Sequence, residues 1–482
     1  MNPALVFNLV GVVLLFSSMF MLVPLLTSFL LKGGDLPVLG MTFLITFLAG
    51  LILYFLTKSR KKIELKHRDG FAVVTISWLT MSLFGSFPYF LSGIAPSFTD
   101  AYFESMAGFT TTGASILSNL DGLPKGILLW RSLTQWMGGM GIIVFSLAIL
   151  PMLGAGGMQL FKAEVPEIGV EKLRPRIIDM AKSLWYIYAG LTAVLALLLL
   201  IAGMDLFDAV CHAFTTMATG GFSTKSESIA YFQSSYIDLI ITVFMFLAGI
   251  NFSLHFYALR GNLSRFAKSS EFKFYCSVIS GAIVIVTFNI FQAGDSSIPD
   301  ALRYGAFQVV SIITTTGFAT SDYEVWPVLS QMLLLCLMFF GGMVGSTGGG
   351  MKQVRILLMF KQAYRELYHL IHPRALTALR LDEKNVPKET LGGIWGFLFL
   401  FILISVIATL CMTALGMDII TSASTVISAM SNVGPALGAA GPAENYSSIP
   451  AAGKWILILC MLIGRLEIYT VILLFMPIFW KK

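Results

Sequence analysis

The sequence predicts an all-α integral membrane protein. Its expected architecture is four pseudo-symmetric helix–half-helix–helix repeats around a central pore, plus two extra N-terminal transmembrane helices. Three observations carry this expectation. The 482-residue chain is 56% hydrophobic and only 12% charged, with a mean hydropathy of +0.82, whereas a soluble protein carries about a quarter charged residues. Its apolar runs reach the roughly 20 residues that cross a bilayer, and about ten such spans can be placed. Four short stretches also repeat one pattern. They are Thr110-Thr111-Thr112-Gly113-Ala114, Ala218-Thr219-Gly220-Gly221-Phe222, Thr314-Thr315-Thr316-Gly317-Phe318 and the more divergent Ser431-Asn432-Val433-Gly434-Pro435. The anchoring glycines at 113, 221, 317 and 434 are separated by 108, 96 and 117 positions.

The elements follow in order. Residues 1–57 hold two apolar runs, 4–31 and 36–56, divided by Lys32-Gly33-Gly34-Asp35. The first run lacks a basic start and is too long for a signal peptide, so it is expected to be a retained helix. Repeat 1 (71–153) reads as a span at 71–91, a half-length helix at 98–109, the Thr-Gly stretch, and a second span at 126–153. Repeat 2 (178–260) has 181–202, 206–217 and 236–259 in the same roles. Repeat 3 (271–370) has 272–291, 301–313 and a span from 328 onward. Repeat 4 (390–482) has 391–414, 419–430 and 454–480. The register is supported by Asp100-Ala101 and Asp208-Ala209, each thirteen positions before its glycine, and by Phe103 and Phe307, each ten before. Trp130, Trp326 and Trp455 fall near the outer ends of second spans, where tryptophan favours the interface. Internal repeats of this kind place a transport path on a pseudo-symmetry axis.

Charge sets the orientation. Segments 58–68, 162–182, 260–273 and 352–388, with Lys481-Lys482, hold 25 of the 32 basic residues, while six fall in the opposite loops. The positive-inside rule puts both termini in the cytoplasm. About 14 of the 26 acids lie on the outer face. They either focus cations at a pore mouth or simply avoid the basic loops. The five cysteines lie in or beside apolar segments without metal-ligand spacing and read as small buried hydrophobes. His212, in a half-helix, reads as a packed polar residue. No nucleophile–base set, metal cluster or phosphate cradle suggests an enzyme or an organic cofactor, and nothing suggests a nucleic-acid partner.

A half-helix ending inside the membrane leaves carbonyls that must face water or ions, and its C-terminal end carries partial negative charge. Glycine lets the following strand turn successive carbonyls to one side. Threonine hydroxyls add oxygens or tie the strand down. Carbonyl oxygens replacing a hydration shell suit an alkali cation such as potassium. At any single site, close helix packing in lipid is the better explanation of Gly and Thr; four copies in register, each after a half-length helix, do not read that way.

Taken together, these motifs resemble the TrkH-type subunit of the Trk/Ktr/HKT potassium transporter superfamily, over essentially the whole chain. Phe109 to Ala114, Gly220-Gly221-Phe222-Ser223 and Asn432-Val433-Gly434-Pro435 resemble its filter sequences. Gly345-Ser346-Thr347-Gly348-Gly349-Gly350-Met351-Lys352 resembles its third-repeat loop, and Gly464-Arg465-Leu466-Glu467 its fourth-repeat signature. The resemblance implies potassium as the transported ion and a bacterial cytoplasmic membrane. It assigns the filter to Thr111, Thr112, Gly113, Thr219, Gly220, Gly221, Thr315, Thr316, Gly317, Asn432, Val433 and Gly434. Plant relatives that prefer sodium carry serine at the first such glycine position, and its absence favours potassium. The resemblance also implies a homodimer and a cytoplasmic TrkA-like ring that binds nucleotides.

The glycine run at 345–350 interrupts the expected span, because four glycines in six residues do not hold a helix. Such backbone belongs beside a water-filled cavity, which suggests a gate; the alternative is a packing kink. A nucleotide loop is excluded, since no Gly-Lys-Ser/Thr closes the motif. Arg465 is the one basic residue expected deep in a span, which is costly and usually functional. It reads either as a positive barrier that holds the loop or as half of a structural ion pair. Glu467, two positions on, does not share its helix face. The basic stretch 352–388 reads as a contact for lipid or a regulator. Intramembrane proton-relay residues are nearly lacking. That favours channel-like conduction over a carrier coupled to protons or sodium.

Overall fold

The computed structural model describes residues 2–58, 67–148, 173–294, 297–375, 377–382 and 384–480. The expected span end at 149–153, the basic residues of 59–66 and 162–172, and Lys481-Lys482 lie outside the described residues.

Two long apolar helices, α1 (Pro3–Leu30) and α2 (Leu36–Thr57), pack on each other. Close approach at Gly11 and Gly50 makes this possible: a Cβ on Gly11 would lie 2.8 Å from the Tyr54 amide nitrogen. α1 also packs on α3 (His67–Gly85) and α6 (Lys125–Ala148), which belong to the first repeat together with α4 (Phe87–Leu91) and the half-helix α5 (Phe98–Phe109). The second repeat contains α7 (Leu173–Ile201), half-helix α8 (Leu206–Met217), α9 (Ser235–Ala248) and α10 (Phe252–Leu259). After the short α11 (Ser264–Lys268), the third repeat runs α12 (Ser270–Gln292), half-helix α13 (Ile298–Ile313), α14 (Val328–Leu337) and α15 (Gln353–Ile371). A two-residue hairpin, β1 (Arg380–Leu381) with β2 (Lys384–Asn385), precedes the fourth repeat. That repeat runs α16 (Lys388–Ala414), half-helix α17 (Ile419–Ser431), α18 (Ala451–Arg465), α19 (Tyr469–Phe475) and α20 (Pro477–Trp480).

Among the described residues, six helices or near-continuous helix pairs are long and apolar enough to cross a membrane, and two bent pairs raise that to eight. The other two expected spans correspond to α6 and to the interrupted α14–α15. Apolar side chains such as Leu30, Leu56, Tyr236, Phe399 and Leu410 face outward, as a lipid-exposed surface requires. The interior is built around the half-helices. One core joins α3, α5 and α6 to α16–α18, and the other joins α7–α10 to α12–α14. Half-helices also pack on the second span of a neighbouring repeat: α8 lies against α6, α13 against α9, and α5 against α18.

Several expectations need correction. The second spans of repeats 2 and 4 are not continuous. α9 and α10 meet at 100°, and α18 and α19 at 119°. Repeat 2 breaks at Gly249-Ile250-Asn251, where the Asn251 side chain caps the new helix by accepting the Ser253 amide. Repeat 4 breaks where Glu467 and Ile468 take positive φ of 57° and 35°. The third-repeat break is wider than the glycine run, extending from Met338 to Lys352. Cys336 and Cys411 are exposed on outward helix faces rather than buried. Trp130 is fully buried and donates its indole N–H to the Gly85 carbonyl at 3.0 Å, so it is a core residue and no interface anchor. Arg465 is not the one buried base: Arg131, Lys352 and Lys454 are buried as well.

Candidate functional site

The four half-helices begin and end alike. Each opens on a side-chain cap: Ser97 accepts the Asp100 amide, Asp205 that of Asp208, Ser297 that of Asp300, and Asp418 that of Thr421. Such caps satisfy amides the first helical turn leaves free. α13 has 16 residues against 12 in α5 and α8, one extra turn at its outer end. Its capped Asp300 therefore lacks the thirteen-residue spacing. At the inner end, each closes in a Schellman turn. Thr112 N–H donates to Ala107 O at 2.9 Å, Gly220 to Thr215 at 2.9 Å, Thr316 to Ser311 at 2.8 Å, and Val433 to Ser428 at 2.9 Å.

That turn needs one left-handed residue, and here it is Thr111, Thr219, Thr315 and Asn432, with φ of 52°, 51°, 60° and 58°. Asparagine tolerates this region, but for β-branched threonine it is an outlier, costing on the order of 1–3 kcal/mol each. Two residues on, Gly113, Gly221, Gly317 and Gly434 return to positive φ, at 79°, 76°, 81° and 104°. The same backbone course thus recurs at all four expected stretches.

The glycines also join the repeats. A Cβ on Gly113 would stand 2.1 Å from the Gly220 carbonyl oxygen, and one on Gly221 1.9 Å from that of Thr316. One on Gly317 would stand 2.0 Å from the Val433 oxygen, and one on Gly434 2.6 Å from that of Thr112. Each repeat's glycine is pressed by the carbonyl preceding the next repeat's glycine, and the fourth returns to the first. Thr112, Gly220, Thr316 and Val433 therefore bring four carbonyls to one closed ring.

Side chains fix this ring from behind. Thr112 Oγ1 pairs with Thr110 Oγ1 at 2.7 Å and accepts the Asn432 amide Nδ2 at 2.9 Å, while Thr316 pairs with Thr314 at 2.8 Å. These hydroxyls tie strands down. Thr111 Oγ1 and Asn432 Oδ1 are buried with no protein partner, at equivalent positions of repeats 1 and 4. The Gly220 carbonyl accepts Gln135 Nε2 at 2.6 Å. Gly434 O accepts Ser428 Oγ at 2.9 Å and the Tyr446 hydroxyl at 2.5 Å. Outside the ring, a vestibule of about 280 Å³ touches all four glycines and includes Arg131, Lys225 and Glu444. The acidic excess of the outer face is not concentrated there. Burial acts to lower the Lys225 pKa, but Asp208, Tyr231 and Asp121 outweigh it and hold the ammonium above its ordinary value. His212 is a packed residue, as expected: its ring bonds the Asp208 carbonyl at 2.8 Å and Ser223 Oγ at 2.9 Å.

On the inner side of the ring lies the glycine loop. Thr347 Oγ1 donates to Met217 O at 3.0 Å and contacts Ala248 O at 3.3 Å, and Gly349 N–H donates to Thr315 Oγ1 at 2.7 Å. A Cβ on Gly349 would stand 2.4 Å from Ser431 O. Residues 347–349 thus touch the half-helix ends of repeats 2, 3 and 4. Ser346 is bonded to Met343 O, and Gly345 and Gly350 turn at positive φ. Arg465 donates Nη1 to Thr347 O at 2.8 Å, with Nη2 3.5 Å from Gly138 O. Lys352 Nζ donates to Gly348 O at 2.5 Å. The acid beside this cluster, Glu467, pairs with Arg355 and not with Arg465.

The structure brings the twelve residues of the four Thr-Gly stretches together and sets Thr347, Gly348, Gly349 and Arg465 beside the half-helix ends, while Gly345 packs on Asn251, Ser346 on Met343 and Gly350 on Gly341. It adds Arg131, Glu104, Gln135 and Lys352, which were missed. Charge counting places Arg131 and Lys352 by loop side, although Arg131 follows Trp130 and Lys352 ends the glycine-loop motif. Glu104 and Gln135 stand inside apolar windows, and their lone polarity was the available signal.

The TrkH family model, described as a cation transport protein, matches residues 36–482. The Trk system potassium uptake protein TrkH of Halomonas elongata is 42% identical over 485 residues, covering all of both chains. The protein of the same name from Escherichia coli K12 is 42% identical over 480 residues, covering 98% of this chain and 99% of its own. The crystal structure of the potassium transporter TrkH from Vibrio parahaemolyticus superposes over the full length of both chains with a TM-score of 0.92 at 39% identity. These relatives are transport proteins rather than enzymes.

Proposed function

The chain belongs to the TrkH family of cation transport proteins, and from that premise we propose that it takes up K⁺ across a bacterial cytoplasmic membrane. The path is the axis encircled by the four Thr-Gly stretches. The closed glycine–carbonyl ring carries this reading: carbonyl dipoles held at fixed spacing replace the hydration shell of an alkali cation. The four half-helix C-termini add negative potential along the same axis. The glycine loop is the gate, seated against three half-helix ends, and Arg465 latches it through Thr347 while adding positive charge to the path.

The division into repeats at 71–153, 178–260, 271–370 and 390–482, after two helices at 1–57, belongs to the same proposal, with both termini cytoplasmic. So do homodimer assembly and docking of a nucleotide-binding ring on the basic 352–388 face, where Phe360, Tyr364 and Leu367 of α15 are exposed.

The test is cation flux into liposomes holding the purified chain. Downhill Rb⁺ and K⁺ uptake that exceeds Na⁺ uptake and ignores an imposed proton gradient supports the reading. Flux that requires a proton or sodium gradient replaces it with a coupled carrier, and Glu467 is then the first residue to change.

A further inference from the structure

We propose that the buried Glu104–Arg131 ion pair is a positioning device that sets cation selectivity, by fixing the strands of repeats 1 and 2 outside the carbonyl ring. The inference rests on the conduction reading above. Glu104 and Arg131 are 0% and 2% exposed, and Arg131 Nε donates to Glu104 Oε1 at 2.6 Å. The carboxylate is otherwise spent on repeat 1. It accepts Ser115 Oγ at 3.0 and 3.1 Å and the Ile116 amide at 2.9 Å, both just beyond Gly113.

Arg131 carries the tie across to repeat 2. Its Nη1 donates to the Ser223 carbonyl at 2.7 Å, and its guanidinium lies 3.6 Å from the centroid of the Phe222 ring. One turn further along α6, Gln135 donates to Gly220 O at 2.6 Å and accepts the Phe222 amide at 3.0 Å. Repeat 1 thus holds the repeat-2 strand at two levels, 131 and 135, on one helix face. A planar guanidinium can bond a carboxylate, bond a carbonyl and stack on a ring at once, and an ammonium cannot.

The register shows that this is not a generic feature of the fold. Nine positions before each glycine stand Glu104, His212, Gln308 and Thr425, and two positions after stand Ser115, Ser223, Ala319 and Ala436. Glu104 braces Ser115, and His212 braces Ser223. Gln308 faces a repeat with alanine at the second place, and both its amide atoms are buried without a partner. Thr425 bonds only its own helix, at Thr421 O and Ser422 O. The brace is therefore strong in repeats 1 and 2 and lacking in 3 and 4. Among the four, only Glu104 has an arginine that reaches the neighbouring strand.

The experiment measures Rb⁺ and Na⁺ uptake into proteoliposomes for the wild type, Arg131→Lys, Glu104→Gln and the double variant Glu104→Gln/Arg131→Gln. A control changes the other buried pair of α5, Lys454–Asp100 (2.6 Å), which sits at the capped outer end of the helix, as Asp100→Asn/Lys454→Gln. The expected result is a Rb⁺:Na⁺ ratio lowered at least fivefold in Arg131→Lys and in the double variant, with monodisperse protein, and an unchanged ratio in the control. The double variant leaves no unpaired buried charge, so it serves if a single variant does not fold. A wild-type ratio in Arg131→Lys or in the double variant overturns the inference, as does an equal loss in the control. If the wild type itself carries neither ion selectively, the conduction reading has failed instead.

Discussion

Replacing the four ring glycines one at a time by alanine should damage selectivity unequally, and the structure ranks them. All four sit at positive φ, where a side chain costs on the order of 1–3 kcal/mol; Gly434, at 104°, lies furthest from the left-handed well, but the overlap ranks the other three as worse. The added Cβ would lie 1.9 Å from a carbonyl oxygen at Gly221, 2.0 Å at Gly317 and 2.1 Å at Gly113, but 2.6 Å at Gly434. Real Cβ atoms essentially never approach closer than 3.0 Å. The opposed oxygen must therefore retreat about 1 Å at the first three positions and about 0.4 Å at the fourth, by difference. An oxygen displaced by 1 Å no longer shares a coordination sphere with its three fellows. Rb⁺ and Na⁺ uptake by each variant in proteoliposomes, normalised to folded protein, gives the ratio. Gly221→Ala, Gly317→Ala and Gly113→Ala should lose most of their Rb⁺ preference, while Gly434→Ala keeps the larger share. An intact ratio in the first three, or Gly434→Ala as the worst of the set, would refute the reasoning.

Three further outcomes are expected. Arg465→Ala removes the donor to Thr347 O and should raise Rb⁺ flux severalfold in protein that remains monodisperse; unchanged or lower flux would remove the latch. Gly349→Ala, whose Cβ would stand 2.4 Å from Ser431 O, should raise flux in the same direction by unseating the loop, and normal flux would show that the loop does not rest there in the closed state. Glu324, at the outer rim, has its pKa raised above 4.5 chiefly by burial; the Gly438 amide opposes the rise, and Glu444 and Asp322 add to it. The folded chain therefore holds that proton more tightly than the unfolded chain. Its contribution to stability is complete below the unfolded value and is lost as pH rises through the folded one. The melting-temperature difference between wild type and Glu324→Gln, followed in detergent over roughly pH 4 to 7, should shift against the wild type as pH rises; a flat difference would falsify the assignment.

Much of this architecture was legible in the sequence because membrane spans and half-length helices leave long compositional traces. The half-helix at 206–217 was placed to the residue, and that at 98–109 likewise, since a polar cap and a Thr-Gly end bracket each one. The kinks at Gly249-Ile250-Asn251 and Leu466-Glu467-Ile468 were not legible. Hydropathy does not change at a bend, and a single glycine or a left-handed glutamate leaves no period to read. The buried charges failed for another reason. Arg131 lies near an apolar stretch's outer end, where charge counting assigns it to a loop, and only the fold reveals Glu104 nearly two turns inside the neighbouring half-helix. The ring itself was half legible: glycines at 113, 221, 317 and 434 marked where, but which carbonyl each would meet depends on how the repeats turn about the axis.

That turn has a mechanical consequence. Gly113 leans on Gly220, Gly221 on Thr316, Gly317 on Val433 and Gly434 on Thr112, so the four strands overlap in one rotational sense, like the blades of an iris. Such an arrangement has no free end: each strand is wedged between two others, so under the conduction reading a shift in one quarter is passed first to its immediate neighbour in the ring.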